Sequence, residues 1–146
     1  MQNVYVFDLD GCLCDCSHRL HYIKKIPKDW KAFFAEAMHD LPIEPVCALA
    51  RDLDRVGTII FASGRSDECR EASRYWIEAH IGIDNPTLYM RKAGDHRDDP
   101  IVKLEMLAQM RRDGFEPRVW VDDRSRVVSA LRGAGVRVLQ CDVGDF

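Results

Sequence analysis

The sequence predicts an α/β fold, a Rossmann-like parallel sheet with helices on both faces. Short apolar runs rich in β-branched and aromatic residues alternate with segments that carry apolar residues at helical spacing. Several of these runs stop abruptly on polar side chains, and in such sheets the carboxyl ends of the strands form the ligand-binding edge. The chain has 146 residues, of which 47% are apolar, so we expect one globular domain over residues 1–146.

The first predicted strand runs through Val4-Tyr5-Val6-Phe7 and ends on Asp8-Leu9-Asp10-Gly11. Its apolar character predicts a central strand. Beyond a strand the chain curls into a loop, so both carboxylates can face one crevice, and Gly11 lets the backbone pass close to a ligand. Taken alone, the two carboxylates fit an ordinary acidic turn equally well.

A segment at about 15–41 differs from its flanks and predicts a small helical cap inserted after the first strand. Basic and aromatic residues mix over 18–25, and Pro27 then precedes an amphipathic helix over 28–38. The aromatic residues of this helix are Trp30, Phe33 and Phe34. They could form a lid over a substrate, but packing into the core is the more common role, and we favour it.

After the insertion, helices and strands alternate to the end of the chain. Pro42 and Pro45 mark the return from the insertion, Gly57 ends the next helix, and Gly133 and Gly135 end the last one. The predicted elements are helix 46–56, strand 58–62, helix 67–81, strand 87–90, helix 101–110, strand 118–121, helix 125–131 and strand 136–140.

Polar groups follow the later strands as well. Ser63-Gly64-Arg65-Ser66 lies between a strand and a helix, where a hydroxyl, a glycine and an arginine are typical of a phosphate-binding turn. A plain turn with serine as cap is the alternative, and Arg65 favours phosphate. A polar run begins at Arg91, the helix after it carries Lys103, and strand 118–121 ends on Asp122-Asp123-Arg124.

These polar groups are predicted to meet at one edge of the sheet. The members are Asp8, Asp10, Ser63, Arg65, Arg91, Asp122 and Asp123. Four carboxylates in one place repel one another unless a cation neutralises them, and an oxygen-rich site suits Mg²⁺. A hard cation beside basic side chains would make a place for a phosphoryl group.

The composition of the chain argues against several other classes of protein. The net charge of −3 argues against broad non-specific binding of nucleic acid, although a local basic pocket is compatible with it. The sequence shows neither a membrane-spanning run nor an export signal, so we expect a cytoplasmic protein with reduced cysteines. Cys12, Cys14 and Cys16 lack the spacing typical of structural zinc sites, and we interpret them as small apolar residues beside the site.

The set Asp8-Leu9-Asp10-Gly11, Ser63, Lys103 and Val121-Asp122-Asp123 resembles the four motifs of the haloacid dehalogenase superfamily, in order and across the chain. A longer pattern is similar to the 3′-phosphatase domain of phage polynucleotide kinase. It comprises Ser63-Gly64-Arg65, Arg91, Gly94-Asp95-x-Arg97-x-Asp99-x-x-Val102-Lys103, Asp122-Asp123-Arg124 and the closing Gly144-Asp145-Phe146. Cys12 stands where the superfamily often has Thr. The sequence contains no P-loop motif, so the resemblance implies a stand-alone phosphatase, with any kinase supplied by a separate protein.

The resemblance also implies roles. Asp8 would attack phosphorus to form an aspartyl-phosphate, while Asp10 would protonate the leaving oxygen and later deprotonate water. The first of these steps requires a protonated Asp10, which neighbouring carboxylates would favour. Ser63 and Lys103 would hold phosphoryl oxygens. The implied Mg²⁺ ligands are Asp8, the main-chain carbonyl of Asp10, Asp122 and Asp123, and the implied substrate-binding residues are Gly64, Arg65, Arg91 and Arg124.

The substrate implied by the longer pattern is a 3′-phosphate at a nucleic-acid end, with the basic and aromatic insertion stacking a base. A nucleoside 5′-monophosphate fits the net negative charge of the chain and the small size of the insertion nearly as well. A non-catalytic phosphate-binding module is a third alternative, and the intact Asp8 and Asp10 argue against it.

Overall fold

The computed structural model describes residues 2–146. Its strands are β1 (Val4–Phe7), β2 (Cys14–Asp15), β3 (Leu41–Pro42), β4 (Thr58–Ser66), β5 (Thr87–Arg91), β6 (Pro117–Asp122) and β7 (Val138–Gln140). Its α-helices are α1 (His21–Lys24), α2 (Trp30–Ala35), α3 (Glu44–Asp54), α4 (Arg70–His80), α5 (Asp99–Arg112) and α6 (Ser125–Gly133). Within these residues, no helix is both long and apolar enough to cross a membrane.

Five of the strands form one parallel sheet in the order β5-β4-β1-β6-β7. The chain builds outward from β1 through β4 to β5, then crosses back to β6 on the other side of β1. This change of direction makes a crevice at the carboxyl end of β1, the position at which open α/β sheets bind ligands. The predicted parallel sheet is confirmed.

Side-chain alternation along the strands gives the sheet two buried faces. Phe61 and Val121 belong to the cluster that contains residues of α3 and α4, whereas Ile60 and Trp120 belong to the cluster that contains residues of α5 and α6. Both faces of the sheet are therefore covered by helices, as the continuous apolar strands predicted.

The insertion after β1 forms a small cap closed at its base by the antiparallel pair β2 and β3. The predicted helix over 28–38 is shorter, since α2 begins after Asp29, whose side chain accepts a hydrogen bond from Ala32 N at 3.0 Å, and a 3₁₀ turn follows at Ala37–His39. Phe33 is buried as expected for a core residue, but 47% of Trp30 is exposed.

Candidate active site

The carboxyl ends of β1 and β6 bring Asp8 and Asp122 together. Phe7 pairs with Val121 in the sheet, and the backbone N–H of Asp8 donates to the Val121 carbonyl at 3.0 Å. The next residue on each strand is an aspartate, so the register itself sets the two acids side by side. Both are buried, and Asp123 follows directly.

Lys103 of α5 joins this acidic pair. Its Nζ donates to Asp8 Oδ1 and to Asp122 Oδ2, each at 2.9 Å, and its side chain is buried. A lysine near the start of a helix is usually solvent-exposed, so the position of Lys103 in the sequence did not by itself mark a site residue, whereas the family resemblance did. The structure thus brings together the residues of three predicted motifs.

Burial and mutual repulsion perturb the acids. Burial and then the charge of Asp122 raise the pKa of Asp8 well above its usual value, although Lys103 opposes the shift. Burial and Asp122 likewise raise the pKa of Asp123 to about 6. Burial alone would lower the pKa of Lys103, but Asp122 and Asp8 outweigh it and raise this pKa.

This acidic cluster fits a magnesium ion. Asp8, Asp122 and Asp123 each offer a carboxylate oxygen, and these oxygens lie within 4.8 Å of one another. Three buried carboxylates face one lysine, so the site carries excess negative charge that a divalent cation would neutralise. An all-oxygen donor set is the kind that Mg²⁺ prefers.

Asp10 lies apart from these three acids and is paired with arginines. Its Oδ1 accepts hydrogen bonds from Arg19 Nη2 and Arg65 Nη2, both at 2.6 Å, and from Arg65 Nε at 3.0 Å. Burial alone would raise the pKa of Asp10, but the charges and hydrogen bonds of Arg65 and Arg19 outweigh it and lower this pKa. Asp40 also lies close to Asp10, but in this state the two arginines outweigh it, so the carboxylate neighbour does not raise the pKa of Asp10 as the sequence led us to expect.

Arg65 is oriented toward acids of the protein. Its Nη2 donates to Asp40 Oδ2 at 3.1 Å and its Nη1 to Ser73 Oγ at 2.9 Å, in addition to its bonds with Asp10. The side chain is almost completely buried. In this state the donors of Arg65 are occupied by Asp10, Asp40 and Ser73, and its contact with substrate stays a prediction.

Two residues of the cap complete the network and were missed from the sequence. Arg19 donates from Nε and Nη2 to the Asp40 carboxylate at 2.8 and 2.7 Å, and His18 Nε2 lies 2.7 Å from Asp40 Oδ1. Arg19 and Asp40 are both buried. The sequence offered only a weak signal for this network, a charged residue near each end of the insertion.

Asp10, Cys14 and Asp40 also have a spacing that could hold a metal. Here, however, the two arginines neutralise the two carboxylates. Burial raises the pKa of the Cys14 thiol well above its usual value, which disfavours the thiolate that a metal would need. Of the two groups, the cluster of Asp8, Asp122 and Asp123 is therefore the one that better fits a divalent cation, and the Asp10 carboxylate is not part of it.

Arg91 and Arg124, two expected substrate ligands, meet at Asp99. Arg91 Nη2 lies 3.2 Å from Asp99 Oδ1, and Arg124 Nη1 lies 3.4 Å from Asp99 Oδ2. Arg91 also donates from Nε to the Gly64 carbonyl at 2.9 Å. A Cβ on Gly64 would overlap the Asp99 side chain, so this glycine allows the end of β4 and the start of α5 to approach closely.

Ser63 and Gly11 lie at the same edge of the sheet. Ser63 is buried, and its Oγ accepts a hydrogen bond from the Arg65 backbone N–H at 3.1 Å. Gly11 has φ +78°, and a Cβ there would overlap the Asp123 carboxylate. Glycine is therefore required beside the acidic cluster for two reasons, backbone conformation and space.

Comparison with known proteins identifies the family. The family described as "Polynucleotide kinase PNKP phosphatase domain" matches residues 2–146. A relative in Autographa californica nuclear polyhedrosis virus, "Putative bifunctional polynucleotide kinase/RNA ligase", is 36% identical over 123 residues, which are 83% of this chain and 16% of the relative.

Solved structures agree with this result. A chain of the "Structure of Pnkp1/Rnl/Hen1 complex" superposes with a TM-score of 0.83 at 27% identity, covering 100% of this chain and 48% of that one. CbbY from Rhodobacter sphaeroides in complex with phosphate shares the fold, with a TM-score of 0.62 at 14% identity, covering 100% of this chain and 88% of its own. A haloacid dehalogenase-like hydrolase from Streptococcus pneumoniae does so with a TM-score of 0.67 at 13% identity, covering 95% and 84%.

The chain spans less than half of the first two relatives. Its fold and its match over residues 2–146 nevertheless agree with each other. It is a phosphatase domain of the haloacid dehalogenase-like hydrolases and belongs to the family of polynucleotide kinase phosphatase domains.

Proposed function

We propose that this domain is a Mg²⁺-dependent phosphomonoesterase that removes the 3′-phosphate from a nucleic-acid end through an aspartyl-phosphate. The observation that carries the chemistry is the contact of Lys103 Nζ with Asp8 and Asp122 at 2.9 Å, beside the third acid, Asp123. One cation and three carboxylates at a strand edge make a site for a charged phosphoryl group and its metal.

Asp8 is the proposed nucleophile. Lys103 holds Asp8 Oδ1, which fixes the orientation of the carboxylate and leaves Oδ2 as the attacking atom. Attack forms the bond between Oδ2 and phosphorus while the bond from phosphorus to the leaving oxygen breaks. Ser63 and Lys103 are the proposed donors to the phosphoryl oxygens, and Asp8, the Asp10 carbonyl, Asp122 and Asp123 the proposed metal ligands.

When bound there, Mg²⁺ would neutralise the charge of the carboxylates and of the phosphoryl group. The affinity of the chain for this ion depends on its own acids being ionised, because a protonated carboxyl is a poor ligand.

Asp10 is the proposed acid and base. Its side chain is 26% exposed, so it borders the space that the leaving group would occupy. In the second step water attacks phosphorus, the bond from phosphorus to Asp8 Oδ2 breaks, and phosphate leaves. Asp10, ionised between two arginines, is placed to accept the proton of that water. For the first step it must carry a proton, and the negative charge of an arriving phosphate favours this because it opposes the arginines.

The family and the relatives support the proposed substrate. The viral relative carries a polynucleotide kinase name, and a second solved structure of a Pnkp1/Rnl/Hen1 complex is named an RNA repair complex. A nucleic-acid 3′-phosphate end is the substrate class that fits both. We propose further that a separate kinase activity acts beside this domain, and that the domain works in the cytoplasm, where its six free thiols would stay reduced.

A substrate panel tests this proposal. We would compare kcat/KM for a 3′-phosphorylated oligonucleotide, a nucleoside 3′-monophosphate and a nucleoside 5′-monophosphate, with and without Mg²⁺. We expect the 3′-phosphorylated oligonucleotide to be preferred. A preference of about a hundredfold for the 5′-monophosphate, roughly 2.7 kcal/mol in transition-state binding, would make this domain a nucleotidase.

The Asp8→Asn variant is the matched control because it keeps the size of the side chain and loses the nucleophile. Release of phosphate from p-nitrophenyl phosphate should require both Asp8 and Mg²⁺. Phosphate binding without any turnover by the unaltered protein would identify a non-catalytic module instead.

A further inference from the structure

The outer loop of the cap, residues 25–31, is a basic surface around an exposed aromatic ring. Lys25, Lys28 and Lys31 are exposed, and Trp30 is 47% exposed. We infer that this cap loop binds the single-stranded nucleic acid that leads away from the 3′ end in the active site. The inference rests on the proposed function and adds to it a second contact area, outside the catalytic site.

Charge complementarity is the first argument. Residues 24–31 contain four basic and one acidic side chain, whereas the rest of the chain contains 17 basic and 23 acidic ones. Of the four lysines in this stretch, Lys25 has a loose partner, Asp29 at 3.9 Å, and within residues 2–146 the other three form no ion pair. A positively charged patch on a protein of net negative charge attracts a polyanion to that patch, while the rest of the surface repels it.

Trp30 provides the second argument. Its ring is stacked on Phe34 at 5.8 Å and meets Phe33 edge-on at 5.7 Å, so the exposed ring is held in place. Lys28 Nζ lies 5.7 Å from the same ring. A fixed aromatic face beside lysines is the arrangement on which single-stranded bases stack without sequence preference.

The cap loop is linked to the active site by direct contacts. The Arg19 guanidinium lies over the Phe33 ring at 4.2 Å, and the same guanidinium donates to Asp10. Trp30 is thus separated from Asp10 by only two side chains. A strand whose 3′ end lies at Asp10 and which runs over the cap meets Trp30 next.

The space available agrees with this partner. A cavity of about 530 Å³ is lined by residues 25–31. Cavities that hold small ligands in proteins measure about 300–1,000 Å³, so one base with its sugar fits. Its lining includes Lys25, Lys28 and Lys31, which would contact the flanking phosphates.

Intrinsic fluorescence gives a direct test of binding. Of the three tryptophans, Trp76 and Trp120 are buried, so quenching by added bases reports Trp30. The probe is a single strand of about ten nucleotides without phosphate at its 3′ end, a length within the usual range for such sites. We expect quenching that saturates, and loss of this quenching in Trp30→Phe.

The lysines are tested by salt dependence. Replacing Lys25, Lys28 and Lys31 together by alanine should weaken binding about tenfold or more and reduce the slope of log K against log salt by roughly 2, since each phosphate contact contributes about 0.7. The matched control replaces Arg55, Arg118 and Arg137 by alanine. These exposed arginines lie at the opposite edge of the sheet, and the control should bind like the unaltered protein.

Turnover separates this inference from the proposed function. In the triple lysine variant, KM for a 3′-phosphorylated oligonucleotide should rise about tenfold, while turnover of p-nitrophenyl phosphate should stay unchanged. Equal losses with both substrates, equal weakening in the control, or quenching that persists in Trp30→Phe would overturn the inference. Failure of the unaltered protein to hydrolyse p-nitrophenyl phosphate would refute the phosphatase proposal and leave the fluorescence result to decide the binding surface.

Discussion

Arg19 of the cap donates a hydrogen bond to Asp10, in the loop that follows β1, across 2.6 Å. Because Arg19 is also held by Asp40 at the other end of the cap, the insertion supplies a cation to the site. The cap and the carboxyl edge of the sheet therefore form one charged network.

The first prediction concerns Arg19→Gln. The loss of Arg19 leaves the Asp10 carboxylate held by Arg65 alone, so its position is less well fixed. We expect kcat to fall on the order of 10² while KM for p-nitrophenyl phosphate changes little, as for a misplaced acid or base. Arg19→Lys keeps the positive charge but lacks the several planar N–H donors of a guanidinium. Compared with Arg19→Gln, it should therefore recover folding stability more than kcat. Equal kcat in Arg19→Gln and the unaltered protein would contradict this role.

The second prediction concerns Lys103→Met. Without Mg²⁺ this change leaves Asp8 and Asp122 buried with no cation, and the free energy of unfolding should fall by about 3–5 kcal/mol. Urea unfolding with a chelator measures it, and added Mg²⁺ should recover part of the loss. Lys31→Met, at an exposed lysine of the cap, is the control and should have little effect. A neutral result for Lys103→Met would mean that its contacts with the acids do not form.

The third prediction concerns pH. Since the pKa of Asp123 is raised to about 6, the metal-free fold binds more protons than the unfolded chain between about pH 4 and 6. Its stability should therefore fall as pH rises through this window and stay low above it. Thermal unfolding across pH 4–8 checks this, and Asp123→Asn should reduce the dependence, with the rest due to Asp8, whose pKa is also raised. Because Mg²⁺ competes with protons, its affinity should be weaker below pH 6. Stability that rises from pH 5 to 7 without Mg²⁺ would contradict the assignment.

The fourth prediction concerns Gly11→Ala. The new Cβ would overlap the Asp123 carboxylate, and the positive φ of residue 11 disfavours any side chain there. We expect a destabilisation of about 1–3 kcal/mol and weaker binding of Mg²⁺. Gly94→Ala is the control, since it also has a positive φ but has open space around it. Calorimetric titration with Mg²⁺ should separate the two variants, and equal Mg²⁺ affinities would argue that Gly11 is needed for its backbone alone.

The sheet and its acidic edge could be predicted because the sequence marks them locally. An apolar run that stops on aspartate, as at Asp8 and Asp122, predicts both a strand and the position of its end. The start of α5 was predicted too late, at Ile101, although Asp98 and Pro100 are ordinary signals for a helix start. In the structure the Asp98 side chain accepts a hydrogen bond from the Asp99 backbone N–H at 3.2 Å.

The network around Asp10 could not be predicted, because it depends on long-range pairing. In the sequence, Arg19 looks no different from the exposed Lys24, and Asp40 resembles any acid near a turn. Arg65 was interpreted as a phosphate ligand because its local pattern is that of a phosphate-binding turn. Only the folded chain shows that Asp10 and Asp40 occupy its guanidinium.

The proposal depends on Asp8 as the acceptor of the phosphoryl group. The most direct measurement mixes the protein rapidly with Mg²⁺ and a 3′-phosphorylated oligonucleotide, quenches the reaction with acid, and examines the peptides by mass spectrometry. We predict one added phosphoryl group on Asp8, and none in Asp8→Asn. Steady release of phosphate without any phosphorylated Asp8, or with the group on another residue, would contradict it.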